Sequence, residues 1–588
     1  MRKNCSSMIK AAAMLIAYVS LITAQVTVTE IHYHPLAEGT VDGDEYEFIE
    51  LKNTGSSTVS LDGYAFTTGI HYSFPSGSQI GAGEFIVLAW NSDRFKQRYG
   101  VAPFGVFTGH LDNKGEKVVL TGNGKEVFSV SYGTVSPWPE AADGAGFSLV
   151  VSNADGATDP DDPSRWRTSS AVNGNPGKDD KPGDLKSLEV KVNEALTHTD
   201  LPQKDAIELY NPTTKEVDIS GWYLTDEKDE PLKYRIPDGT IIKAQSYLVF
   251  DSDDFDAGST AFSLNAHDDG AYLFSTDTSG NLTGLCHGFK YAEAANGVSF
   301  GRVENSSGEE FFVSMQDLTL GSENGEPLVG PLVISEINYD GPDGIEFLEI
   351  VNISESSIPM YDPERPINTW KVEGIAFSFP QNITIKPGEA IILFSDTVSA
   401  AVFRNTYKIA ESVRLFPFSG NISDNGEEIR LEMPCEPYVD GAESIVPYMV
   451  IDIVKYGTES PWPQVSGGNS IERKKLNLFG CEALNWKKAA PSPGNSLSVG
   501  KGGRFGDNSL SRMEFSSKDA SVCFISSVSG PLEILTYDLS GRCIYKCSRE
   551  AVRGINRAFS GIPVNRSGIY ITQLRTSGEN VTGKFLIR

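Results

Sequence analysis

Six glutamates recur in pairs along the chain: Glu30 with Glu50, Glu194 with Glu208, and Glu336 with Glu349. Two carboxyl groups in one site push their pKa values apart, which is what general acid–base hydrolysis requires. In strand alternation Glu30, Glu194 and Glu336 share parity with the apolar Val28, Val192 and Ile334. That places them towards a core, where a carboxylate is costly unless it is hydrogen-bonded. All three copies keep the residue while their neighbours vary. The favoured reading is therefore structural: a Glu capping backbone N–H groups at one end of a β-sandwich.

The other candidate chemistry is sparse. Asp251, Asp253, Asp254 and Asp256 form a dense acidic loop, and Asp159, Asp161 and Asp162 a thinner one. Such loops supply the oxygens that Ca²⁺ takes, but neither has the spacing of an EF-hand, and solvated acidic loops are the preferred reading. Calcium is thus the one cofactor the sequence allows; no catalytic, cofactor-binding or other metal-binding residue is expected. His32 and His34 share a strand face but are read as strand-end surface residues, because the third copy has Asn338 and Asp340 there. Trp138 and Trp462, each inside Ser-Pro-Trp-Pro, offer a stacking surface for a sugar or a partner. Packing over the edge of their own sandwich is the more ordinary role. Cys435 and Cys481 flank the second half of one unit and are a candidate disulfide, against the alternative of isolated thiols. No Gly-x-Ser-x-Gly elbow and no phosphate-binding Gly-rich loop is present.

These residues sit on a long internal repeat. Val130-Ser-Tyr-Gly-Thr-Val-Ser-Pro-Trp-Pro139 returns as Val454-Lys-Tyr-Gly-Thr-Glu-Ser-Pro-Trp-Pro463. Glu47-Phe-Ile-Glu-Leu-Lys-Asn53, Asp205-Ala-Ile-Glu-Leu-Tyr-Asn211 and Glu346-Phe-Leu-Glu-Ile-Val-Asn352 form a second matching set. A unit of this size is a domain, not a solenoid repeat. Ile49 and Leu51 alternate with Glu50 and Lys52, as do their counterparts, which describes a strand with one face in a core. Short β-branched blocks between Gly, Asn, Asp and Pro turns predict an all-β protein of tandem immunoglobulin-like sandwiches, with no amphipathic helix inside the units.

The chain has 588 residues and a formal net charge of −28, which argues against a nucleic-acid partner, since phosphate contacts need clustered Lys and Arg. Arg2, Lys3 and Lys10 precede an apolar run too short to span a bilayer, and Ala24 ends it. A secretory signal peptide over residues 1–24 is expected, with no transmembrane segment in the mature chain.

The pattern Glu-Ile-x-Tyr, then Glu-Phe-Ile-Glu-Leu-x-Asn, then Phe-Pro and Gly-Glu-Phe-Ile-Val-Leu resembles the lamin-tail domain, in its secreted and surface bacterial branch. The resemblance covers residues 25–178 and 331–497, and covers 185–325 in divergent form, with Asn-Glu-Ala at residues 193–195 for Glu-Ile and no Ser-Pro-Trp-Pro. It implies an immunoglobulin-like sandwich and does not imply catalysis. Beyond a Gly-rich linker at 498–509, residues 510–588 carry Asp-Leu-Ser-Gly-Arg, then Gly-Ile-Tyr, then Lys-Phe-Leu-Ile. This resembles the C-terminal sorting domain of the type IX secretion system of Bacteroidota, which implies that machinery as a partner and delivery to the cell surface or the medium. The function expected is a non-catalytic adhesion, scaffold or binding protein acting on a surface glycan or protein. The alternatives are an accessory binding module for polymer degradation and, behind it, an unrecognised hydrolase.

Overall fold

The structure, a computed structural model, describes residues 26–154, 159–181, 189–258, 260–441 and 443–494, together with the C-terminal strands and the turn at 541–542. Residues 1–24, where a signal peptide is expected, and the expected linker 498–509 lie outside the described residues, as does the side chain of Cys523.

Three two-sheet sandwiches follow one another. In the first, the larger sheet runs in the order 166–168, 149–151, 26–32, 48–53, 85–89, 105–106, and the smaller 125–131, 117–122, 64–68, 72–73. The third repeats this plan, its six-stranded sheet centred on Leu332–Asn338 and Phe347–Asn352. The second pairs a five-stranded sheet, centred on Lys191–Leu196 and Ala206–Asn211, with a four-stranded sheet whose long hairpin is His267–Thr276 and Leu282–Glu293. Between the sheets of the first sandwich, Val28, Ile31, Ile49, Leu51, Leu88 and Leu120 are fully buried. In the C-terminal part, sheets of three and four strands enclose a small core of Val522, Leu532, Ile534 and Leu574.

Two expectations are corrected. The units do contain helices: Ser92–Tyr99 in the first sandwich, Ala400–Tyr407 in the third, and a single turn, Ser252–Phe255, in the second. Each buries only one residue, Phe95, Phe403 or Phe255, so no apolar stripe of period 3.6 exists to be read. Their caps are legible in retrospect. Asn91 accepts from Asp93 N–H and Arg94 N–H, and Ser399 accepts from Val402 N–H. The second correction concerns parity. The first strand of every sandwich carries a β-bulge, between Val28 and Glu30, Val192 and Glu194, and Ile334 and Glu336. One extra residue reverses the alternation. Each Glu therefore lies on the outer face of its sheet, away from the inter-sheet core.

The sandwiches dock on each other. Ala141 and Phe147 of the first pack with Tyr272 and Phe274 of the second. Beside them Asp143 takes His34 at 2.8 Å and Lys228 at 2.9 Å. Phe311 of the second meets Phe479 of the third edge-to-face, and Ser306 N–H donates to Glu482 at 2.9 Å.

Candidate functional site

The bulges bring the six glutamates together in pairs. Glu30 stands directly opposite Glu50, Glu194 opposite Glu208, and Glu336 opposite Glu349. All six are at most 2% exposed. In the first sandwich Ser148 Oγ donates to Glu30 at 2.5 Å and Thr29 Oγ1 to Glu50 at 2.7 Å. Two backbone groups from the end of the sandwich complete the set: Asn175 N–H donates to Glu30 at 3.1 Å and Gly177 N–H to Glu50 at 2.6 Å. The second sandwich uses Ser299 Oγ, Thr319 N–H and Thr319 Oγ1 on Glu194, with Asn193 Nδ2 and Gly321 N–H on Glu208. In the third, Ser470 Oγ, Ser492 N–H and Ser492 Oγ reach Glu336, while Ser335 Oγ and Gly494 N–H reach Glu349.

Each pair is thus a clasp that ties the exit segment of a sandwich to its first two strands. The exit segments Asn175-Pro-Gly177, Thr319-Leu-Gly321 and Ser492-Pro-Gly494 are themselves a repeat that sequence reasoning missed. Its signal is two residues with one between them, the second always Gly. Next to the first clasp, Gly174 has φ +67°, and a Cβ there would lie 2.2 Å from Glu30 Oε1. Burial, then the charge of Glu50 alongside, pushes the Glu30 carboxyl up to about 8. Burial raises Glu50, Glu208 and Glu349 to about 7. A raised carboxyl is a mark of acid–base sites, but structural networks produce it too. Here hydrogen-bond donors already occupy the carboxylates, and the main clefts are lined by other residues.

The remaining candidates are dispersed. Asp251 caps the turn Ser252–Phe255, Asp254 closes its capping box, and Lys204 pairs with Asp251 and Asp253. Asp251, Asp253 and Asp254 are engaged with the loop's own backbone and Lys204, and among the described residues these aspartates do not bring three ligand atoms together. Cys435 and Cys481 do not pair; both are free thiols. Cys481 is buried against Phe311 and Phe479 at the junction with the second sandwich, and Cys435 sits at the end of the strand Glu427–Pro434. His32 is not at the surface: it is fully buried, edge-on to Phe48 with ring centroids 5.2 Å apart, and burial lowers it to about 3. Trp462 is 6% exposed and packs by Trp486, and Trp138, half-buried, packs by Trp166 with ring centroids 6.4 Å apart.

Among the described residues Asp44, Glu47 and His110 bring three metal-ligating atoms within 4.8 Å of one another. Glu47 is buried and already accepts Leu111 N–H at 3.1 Å, the bond that Glu346 makes with Ile422 N–H at 2.7 Å in the third sandwich. No described helix is long and apolar enough to cross a membrane.

Stacked, largely antiparallel sheets with a clasped exit define a tandem array of immunoglobulin-like β-sandwiches. The family described as the Lamin Tail Domain matches residues 22–134 and 184–286, so stretches of the first two sandwiches are similar to lamin-tail domains, in tandem. No curated protein matches. Among solved structures, dimeric latent PorU from Porphyromonas gingivalis aligns at 9% identity with a TM-score of 0.11, covering 72% of this chain and 35% of that one. The chain therefore spans about a third of that structure's length, and the overlap carries no argument.

Proposed function

We propose that the protein is a non-catalytic binding and scaffold protein of the cell exterior. In this reading the third sandwich is a further lamin-tail-like module, and residues 510–588 direct the chain through the type IX secretion system of a Bacteroidota cell. The observation that carries the non-catalytic reading is the state of the paired carboxylates. The residue pairs best suited to acid–base chemistry are buried and spent on holding the exit segments. The basic and apolar start of the chain and the strand motifs of its last 80 or so residues support export.

Fractionation of the native cells, with intact mass of the protein in each fraction, tests this. Protein on the surface or in the medium, starting near Gln25 and ending within residues 499–506, is expected. Full-length protein held in the periplasm would overturn the sorting assignment. The hydrolase alternative requires activity that disappears in Glu50→Gln with the fold intact. A cleft between the first two sandwiches, in which an aromatic wall meets charged side chains, favours a ligand-binding version of the leading reading.

A further inference from the structure

Where the first two sandwiches meet they enclose a cleft of about 480 Å³. Trp138, Glu140 and Arg167 of the first sandwich face Lys191, His287 and Glu310 of the second. Neither sandwich forms it alone.

Part of this lining is braced. Val192 N–H donates to His287 Nδ1 at 3.0 Å, so the ring proton sits on Nε2 and is given to Glu310. Arg302 Nη1 donates to the other Glu310 oxygen at 2.9 Å. Arg167 is tied to Asp180 at 2.8 Å and to Thr168 O at 3.0 Å. The rest is unspent. Glu140 Oε2 is buried and accepts no hydrogen bond. Lys228, and after it Lys191, act on the Glu140 charge from a distance, and the Lys191 side chain makes no hydrogen bond or ion pair among the described residues. Trp138 packs by Trp166 of its own sandwich as Trp462 packs by Trp486, but it stays half-buried where Trp462 is buried, and it lines the cleft.

We propose that this interdomain cleft binds a neutral pyranose chain, with a sugar ring against Trp138 and its hydroxyls shared between Glu140 and Lys191. A pyranose offers an apolar C–H face to an aromatic ring and hydroxyls that both donate and accept. An unpartnered acceptor and an unpartnered donor beside an aromatic wall match that combination. Glu140 and Glu310 face Lys191 and Arg167, so the lining is balanced in charge and no net field selects an anionic or cationic ligand. The volume and the position at a domain interface are those of small-ligand sites. This deepens the binding reading above and rests on it.

The test is affinity electrophoresis of the full chain through gels containing β-1,4-glucan, β-1,3-glucan, xylan or α-mannan, with pectin and alginate as anionic comparisons. Retardation by at least one neutral polysaccharide is expected. Trp138→Ala should weaken it at least tenfold, and Glu140→Gln and Lys191→Met each about fivefold or more. The last two change no packed core residue, so they remain informative if Trp138→Ala misfolds. The cleft assignment is overturned by no neutral binding, by binding only to the anionic polymers, or by neutral binding that Glu140→Gln and Lys191→Met leave unchanged. Correct export without sugar binding would sink this inference and leave the surface reading standing; sugar binding by a protein that stays in the periplasm would do the reverse.

Discussion

At the residue scale Glu30 of the first clasp carries a pH dependence of definite sign. Glu30 is raised towards 8 in the folded protein, against about 4.5 in an unfolded chain. Between those values the folded state holds more proton, so stability falls as pH rises through the window and is greatest below it. Hydrogen exchange at residues 171–180, corrected for intrinsic rates, should show protection decreasing from pH 5 to pH 8. Glu30→Gln should flatten that slope. Truncating Glu208 or Glu349 to Ala should cost about 1.5–3 kcal/mol each, since each leaves buried donors unpaired, and urea denaturation of the variants checks it. A separate outcome concerns the cysteines. Alkylation after denaturation without reductant should label Cys435 and Cys481 fully. The sequence offered these two as a pair only because both fall in one unit, and spacing says nothing about the direction in which a side chain points.

At the element scale the helix Ser92–Tyr99 covers the outer face of the clasp sheet through Phe95, which packs on Phe48 at 5.9 Å between ring centroids. Phe95→Ala should destabilise the first sandwich by about 3–5 kcal/mol, and Asn91→Ala by about 1 kcal/mol, read from thermal or urea unfolding. This element shows where the sequence was readable and where it was not. The alternation of Ile49 and Leu51 with Glu50 is unbroken, and it located the second strand and its inner face. The first strand has the same alternating look, but its bulge spends one residue without a side-chain signature, so parity put Glu30 on the wrong face. The helices escaped because one buried residue makes no period. The clasp itself needed partners more than a hundred residues away, Asn175 and Gly177, which local pattern cannot connect.

At the scale of the whole molecule the repeat was legible because it is long, and docking was not, because the residues that dock differ at each junction. Asp143, His34 and Lys228 hold the first junction, while Phe311, Phe479 and Glu482 hold the second. Asp143→Ala strands a mostly buried Lys228 ammonium, at a cost of roughly 3 kcal/mol. Small-angle scattering of the full chain should show a larger radius of gyration in that variant. The glycan cleft shares this junction, so the same substitution should also weaken its ligand.

The clasp has a mechanical corollary. It binds the strand by which the chain enters each sandwich to the segment by which it leaves. A pull on the two ends of a sandwich would then pass from entry to exit through a few carboxylate hydrogen bonds, leaving the inter-sheet core out of the load path. Each sandwich would give up its exit segment first, lengthening by a few residues while its sheets stay folded.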